Sequence, residues 1–352
     1  MNPMSDGGLI RVLVVDDSAY NRRVISEMLT SLEGVEVIAA ACDGQEALQM
    51  ALVHKPDLIT LDLEMPRMDG FSFLRLLMSR QPTPVIVVSG YAKTANVFQA
   101  LELGAIDFVA KPTRAVAADL PLIRAELAEK VALVRHVSPA KLKLKRPSVV
   151  PLAVDAPKPV LRRANRVIVI GASTGGPTAL VRLFRELPAS LGAALIVAQH
   201  MPPKFTRTFS ERLDRISPLQ VKEASGAHGL KTGQAWVCPG GQSVEIGADA
   251  SVLVRPARRE DRYVPSVDRL FESASTKFGE RCLAVVLTGM GDDGCKGASA
   301  VRTRGGRVIV ESSDSAAIYG MPGSVVRAGF ADEILPLREI AARIVAFAQG
   351  SF

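Results

Sequence analysis

The sequence predicts an α/β protein of two domains, a five-stranded parallel β/α unit followed by a doubly wound unit with a small antiparallel excursion. Three observations carry that expectation. At 352 residues the chain is too long for one ordinary core. In both halves short apolar runs alternate with amphipathic segments, as parallel strands buried on both faces do. Between the halves lies a stretch of different chemistry, which sets the expected boundaries at 1–135, 136–166 and 167–352.

In the first half the strands are expected at Arg11–Val15, Val35–Ala40, Leu58–Leu61, Val85–Val88 and Asp107–Ala110. Helices fill the gaps from Ser18, Gly44, Gly70, Thr94 and about Ala117. Ligands of such sheets collect beyond the carboxyl ends of the strands. Asp16, Asp17, Asp62, Ser89 and Lys111 each fall just after a strand, so they converge on one edge.

In the second half Val167–Ile170, Ala194–Ala198, Leu283–Leu287 and Val308–Val310 read as buried parallel strands. Helices are expected at Thr178–Leu187, Lys204–Ile216, Ser266–Phe278 and Gly294–Arg304. The segments Gln234–Cys238, Ser243–Ile246 and Ser251–Val254 are short and punctuated by glycine, which suits an antiparallel excursion.

The net charge of +7 invites a nucleic-acid partner, but its placement argues against one. Lys141, Lys143, Lys145, Arg146, Lys158, Arg162, Arg163 and Arg166, opposed only by Asp155, account for the whole excess. Pro139, Pro147, Pro151, Pro157 and Pro159 share that stretch, which reads as an extended, solvated tether. No run of about eighteen apolar residues occurs, so no membrane span is expected. Residues 1–8 lack the basic and apolar regions of a signal peptide, and a cytoplasmic location is expected. Cys42, Cys238, Cys282 and Cys295 lack paired or metal-like spacing and read as reduced, mostly buried thiols.

Asp16, Asp17 and Asp62 crowd three carboxylates together, and such a cluster repels itself unless a hard dication such as Mg²⁺ binds. With the metal bound, the Asp62 carboxylate can accept a phosphoryl group, and the Lys111 ammonium can neutralise its oxygens. Ser89 offers a hydroxyl that can turn toward that group, and Phe108 a ring that can turn inward as it does.

Ser173 lies in Gly171-Ala172-Ser173-Thr174-Gly175-Gly176, directly after a strand and before a helix. The glycines permit a tight turn and free backbone N–H groups, but the spacing is neither a dinucleotide fingerprint nor a P-loop. A serine nucleophile needs an adjacent base. Of four histidines, His54 ends a helix, His136 lies in the tether and His228 sits in a polar loop with no strand behind it. Only His200 follows a buried strand at the edge where Ser173 belongs. The orienting carboxylate belongs to Gly289-Met290-Gly291-Asp292-Asp293-Gly294, where spacing does not choose between Asp292 and Asp293.

The first set of residues, with the run Asp62-Leu63-Glu64-Met65-Pro66, closely resembles the receiver domain of two-component response regulators over about residues 9 to 130. The resemblance implies a flavodoxin-like fold and an Asp62 that takes phosphate from a histidine kinase. It also implies Mg²⁺ held by Asp16, Asp17, Asp62 and the backbone carbonyl of Glu64. The second set, with Gln199-His200-Met201-Pro202, Pro265-Ser266-Val267-Asp268 and Tyr319-Gly320-Met321-Pro322, resembles the chemotaxis protein-glutamate methylesterases, the CheB family. This resemblance covers essentially the whole chain. It implies hydrolysis of glutamate methyl esters on the cytoplasmic helices of chemoreceptors, and deamidation of receptor glutamines. Asp293, the second acid of the pair, becomes the catalytic one, with Thr174 supporting the site and the Met290 backbone near the oxyanion. It implies as well that the unphosphorylated receiver covers the triad, and a monomer is expected. One departure is visible: Gln242-Ser243 follow Pro239-Gly240-Gly241, where many members carry a histidine.

Two other classes compete. A signalling adaptor would only bind a partner through its second half, against which a complete Ser/His/Asp set argues. A DNA-binding regulator would need a helix-turn-helix with a basic face, and the second half has none.

Overall fold

Val12, Val14, Leu58, Ile86 and Val109, all buried, form the centre of the first sheet, whose strands the sequence had marked by their apolar runs. The computed structural model describes residues 8–90, 94–111, 120–136 and 161–351. The chain divides into two units, residues 1–149 and 150–352.

In the first unit the order is β1 (Ile10–Val15), α1 (Ala19–Thr30), β2 (Val35–Ala41), α2 (Gly44–His54), β3 (Leu58–Leu61), α3 (Gly70–Arg80), β4 (Val85–Ser89), α4 (Thr94–Glu102), β5 (Asp107–Ala110) and α5 (Leu120–Ala132). The sheet runs β2-β1-β3-β4-β5 with every pairing parallel, the flavodoxin-like order. Local chemistry sets the helix starts. The side chains of Ser18, Asp43 and Asp69 accept hydrogen bonds from the backbones of Asn21, of Gln45 and Glu46, and of Ser72.

The second unit holds β6 (Val167–Ala172), α6 (Gly176–Glu186), β7 (Ala194–Gln199), α7 (Phe205–Ile216), β8 (Gln220–Glu223), β9 (Ala227–Gly229), β10 (Gln234–Val237), β11 (Gln242–Ile246) and β12 (Ser251–Pro256). It continues through α8 (Val267–Phe278), β13 (Cys282–Val286), α9 (Cys295–Thr303), β14 (Arg307–Glu311), α10 (Met321–Arg327), β15 (Glu333–Leu335) and α11 (Leu337–Gln349). Seven strands form a parallel sheet in the order β15-β14-β13-β6-β7-β10-β8, and β11-β12-β9 form a small antiparallel sheet. Its core joins Val169, Ile196, Val267, Phe271, Val286 and Val310.

Several expectations need correction. Gln234–Val237 belongs to the parallel sheet, between β7 and β8, and not to the excursion. Its polar first residue disguised a fully buried strand, because the Gln234 amide is satisfied by Gln220 Oε1 at 2.8 Å. His228 does lie on a strand, β9, with its ring stacked on Trp236 at 4.5 Å. Of the expected tether, residues 137–160 lie outside the described ones, and its last residues are not a tether. Ala164 is buried and its N–H donates to the Leu230 carbonyl, while the Arg162 carbonyl accepts from Thr232. The cysteines form no disulfide among the described residues, but only Cys238 and Cys282 are buried. No helix among the described residues is long and apolar enough to cross a membrane.

Candidate active site

Strand β6 has β7 on one side and β13 on the other, so the loops leaving all three strands meet at the point where the chain reverses its direction of winding. Ser173 follows β6, His200 follows β7, and Asp293 lies in the loop after β13. His200 Nε2 is 2.8 Å from Asp293 Oδ2. That bond leaves Nδ1 as the ring nitrogen free to serve a serine. Asp293 is buried, and its remaining lone pairs are filled by the N–H groups of Val267 at 2.8 Å, Asp268 at 2.9 Å and Gly294 at 3.0 Å. Three amide donors and an imidazole replace the water that a buried carboxylate loses. Asp292 points elsewhere. It is exposed, 3.3 Å from the Tyr263 hydroxyl and 3.5 Å from Arg262.

Ser173 is pinned through its backbone. Its N–H donates to the Thr288 carbonyl at 3.0 Å, and its carbonyl accepts from Gly176 at 2.8 Å. Gly289 lies against it, since a Cβ there would sit 2.8 Å from Ser173 Cβ. Thr174 is buried, and its carbonyl accepts from Thr288 Oγ1 at 2.9 Å. The backbone before Met290 is clamped by Gly320 and Met321, whose N–H groups both donate to the Gly289 carbonyl. Helix α6 starts three residues after Ser173, so the positive end of its dipole faces this edge.

Three residues here were not singled out by sequence for a role. Gln199 straps two loops together, its Nε2 donating at 2.9 Å to the carbonyls of both Ser173 and His200. Position 176 must be glycine for this, because a Cβ there would lie 2.0 Å from Gln199 Oε1. A buried amide at a strand end, next to the candidate base, was the available signal. Asp268 Oδ1 accepts from Gly294 at 2.9 Å and Gly297 at 2.7 Å. Burial first, and the Asp293 charge after the opposing Gly297 N–H, push its carboxyl up to about 6. Tyr263 stacks on His200, with centroids 5.1 Å apart and planes 5° from parallel.

In the first unit Asp16, Asp17 and Asp62 offer oxygens that all lie within 4.8 Å of one another. Asp16 and Asp62 are buried and Asp17 is exposed. Lys111 Nζ reaches Asp62 Oδ2 at 2.6 Å and Asp16 Oδ2 at 2.9 Å. Burial pushes the Asp62 carboxyl up, against the pull of the Lys111 ammonium. Burial alone would lower Lys111, but Asp62 and Asp16 outweigh it and hold the ammonium charged. Asp16 and Asp62 share the single Lys111 ammonium, so this cluster of three carboxylates stays rich in anionic oxygen and fits a hard dication. The Glu64 N–H donates to Asp62 Oδ1 at 3.3 Å, which sets Glu64 beside the cluster. Ser89 is buried at the end of β4, and its carbonyl accepts from the Lys111 N–H at 2.8 Å. Phe108 already lies inward, edge-on to Phe98 and 5.1 Å from Lys130 Nζ.

Residues 12–118 match the family described as response regulator receiver domain, and residues 168–344 match the one described as CheB methylesterase. The chain belongs to the CheB methylesterase family. The full chain is similar to protein-glutamate methylesterase/protein-glutamine glutaminase 1 of Myxococcus xanthus, at 44% identity over 98% of this chain and 99% of that protein. It is similar also to protein-glutamate methylesterase/protein-glutamine glutaminase 6 of Anaeromyxobacter dehalogenans, at 46% identity over 97% of each. Among solved structures, the CheB methylesterase catalytic domain of Thermotoga maritima is 36% identical, covers 51% of this chain and 97% of that one, and gives a TM-score of 0.49. In this CheB chain Ser243, at the departure from the family pattern, is buried and accepts from the Ser266 N–H at 3.1 Å.

Proposed function

We propose that the chain is a phosphorylation-activated hydrolase that removes methyl groups from glutamate methyl esters on the cytoplasmic helices of chemoreceptors. The observation that carries this is the 2.8 Å pair of His200 and the buried Asp293 at the sheet edge that also presents Ser173. His200 Nδ1 takes the Ser173 proton as Oγ attacks the ester carbonyl, and Asp293 holds the tautomer and stabilises the imidazolium. The oxyanion is received by a backbone N–H at Met290, with Thr174 supporting the site. Each such donor is worth about 3–4 kcal/mol in comparable sites. The imidazolium protonates the departing methanol. Water, deprotonated by the same imidazole, then cleaves the acyl-serine and leaves glutamate. Deamidation of a receptor glutamine follows the same course with ammonia as the leaving group.

Asp62 is the phosphoacceptor. Its carboxylate oxygen attacks phosphorus, the phosphorus–nitrogen bond of a kinase phosphohistidine breaks, and an acyl phosphate forms. Asp16, Asp17, Asp62 and the Glu64 carbonyl would hold Mg²⁺, whose charge neutralises the phosphoryl oxygens when bound. Lys111 pairs with the phosphoryl group and Ser89 turns toward it, while the Phe108 ring is already buried and has no inward turn left to make. Full control requires the phosphoryl group to bias the restrained and released states by about 5.5 kcal/mol.

Methanol release from methylated receptor membranes tests the reaction. Wild type should release methanol and Ser173→Ala should not. Equal release by both would end the serine mechanism, and none from either would favour the adaptor.

A further inference from the structure

A single hydrogen bond does not fix an imidazole. His200 is held at Nε2 by Asp293, but a ring tethered at one atom can still pivot and swing Nδ1 away from the serine. A second restraint lies on the face of that ring. Tyr263 stacks on it with centroids 5.1 Å apart and an interplanar angle of 5°, within the offset-stacked range for aromatic pairs.

The tyrosine is itself held. Its hydroxyl donates to Asp292 Oδ1 at 3.3 Å. The Arg262 guanidinium lies 5.1 Å from the Tyr263 ring centroid and 3.5 Å from the same Asp292 oxygen. Gly291, at φ +80°, makes room for the hydroxyl, because a Cβ there would lie 2.2 Å from it. The two neighbouring acids therefore have separate tasks, Asp293 on the imidazole edge and Asp292 on the tyrosine that covers its face.

We propose that Tyr263 is a positioning residue of the esterase, a flat platform that fixes the plane of His200 and is held in place by Asp292 and Arg262. The inference rests on the ester-hydrolysing reading of Ser173, His200 and Asp293. Its mark is a loss in kcat that tracks aromaticity at position 263, with KM nearly constant, because the platform orients the base and does not bind the ester.

The test uses the full chain and methylated receptor membranes, with methanol release as the readout and Ser173→Ala as the blank. Tyr263→Leu should lower kcat by about ten-fold, less than the roughly hundred-fold that a 1 Å misplacement can cost. Tyr263→Phe and Tyr263→Trp should recover most of that loss. Melting temperatures of all variants show whether the fold is intact, and the aromatic series keeps the comparison informative if Tyr263→Leu melts early. A Tyr263→Leu enzyme with kcat within two-fold of wild type overturns the proposal, as does an aromatic series that falls as far as leucine. Wild type without methanol release would instead defeat the underlying esterase reading.

Discussion

Asp268 and Asp293 cap each other's helices. Asp293 accepts the N–H groups of Val267 and Asp268 at the start of α8, and Asp268 accepts those of Gly294 and Gly297 at the start of α9. The acid that orients His200 is thereby locked from two sides, with two carboxylates sharing one cluster of amide donors.

The cap predicts a stability cost. Asp268→Ala should remove about 1 kcal/mol of capping, and so lower the melting temperature by roughly 2–4 °C for a unit of this size. Calorimetry of the full chain measures it, and an unchanged transition of the second unit would contradict it.

The same acid predicts a pH dependence. Its folded value, about 6, stands above the 3.8 of an unperturbed aspartate, so between those values the folded state binds more protons than the unfolded one. Stability from this group therefore falls as pH rises through that window. Relative to Asp268→Asn, which keeps an acceptor but cannot ionise, wild type should lose ground between pH 4 and pH 6.5. Equal melting differences at both ends would show that Asp268 does not titrate there.

The pair of acids after β13 should separate sharply in kinetics. Asp293→Asn should lower kcat by about 10³- to 10⁴-fold through the wrong tautomer. Asp292→Asn, at an exposed ion pair, should cost less than about ten-fold. Parallel methanol-release assays decide, and comparable losses would mean the acids are interchangeable.

Gln199 predicts a coupled defect. Gln199→Leu removes two hydrogen bonds, taking the strap from the His200 carbonyl and leaving the Ser173 carbonyl with Gly176 alone, costing about 1–3 kcal/mol in urea unfolding. Because both loops carry reacting groups, kcat should fall with stability. Lost stability with unchanged kcat would make the strap purely structural.

In the first unit Asp16→Asn should weaken Mg²⁺ binding by about ten-fold or more, since it removes one buried anionic ligand. Titration calorimetry reads this directly, independently of esterase activity. Unchanged affinity would place the ion elsewhere.

Much of this was legible in the sequence for a plain reason. Parallel strands buried on both faces are apolar runs, and the polar residue that ends each run marks the functional edge. That logic located Asp16, Asp62, Lys111, Ser173 and His200. It could not choose Asp293 over Asp292, because adjacent residues share a spacing, and only the amides of α8 show which carboxylate turns inward. It missed Gln199 and Tyr263 because their roles are contacts with Ser173 and His200 across the fold. It misassigned β10 because a Gln–Gln pair hides a buried strand behind a polar letter. Short strands such as β15, half-buried and three residues long, leave no apolar run to see.

The central claim is that one chain couples a phosphoacceptor at Asp62 to a hydrolase at Ser173. The most direct measurement is methanol release from methylated receptor membranes with and without a small-molecule phosphodonor and Mg²⁺, for wild type, Asp62→Ala and Ser173→Ala. Release that needs Ser173, and that rises with the phosphodonor only when Asp62 is present, is the predicted result. Ser173-dependent release that ignores the phosphodonor would leave the esterase standing and contradict the coupling.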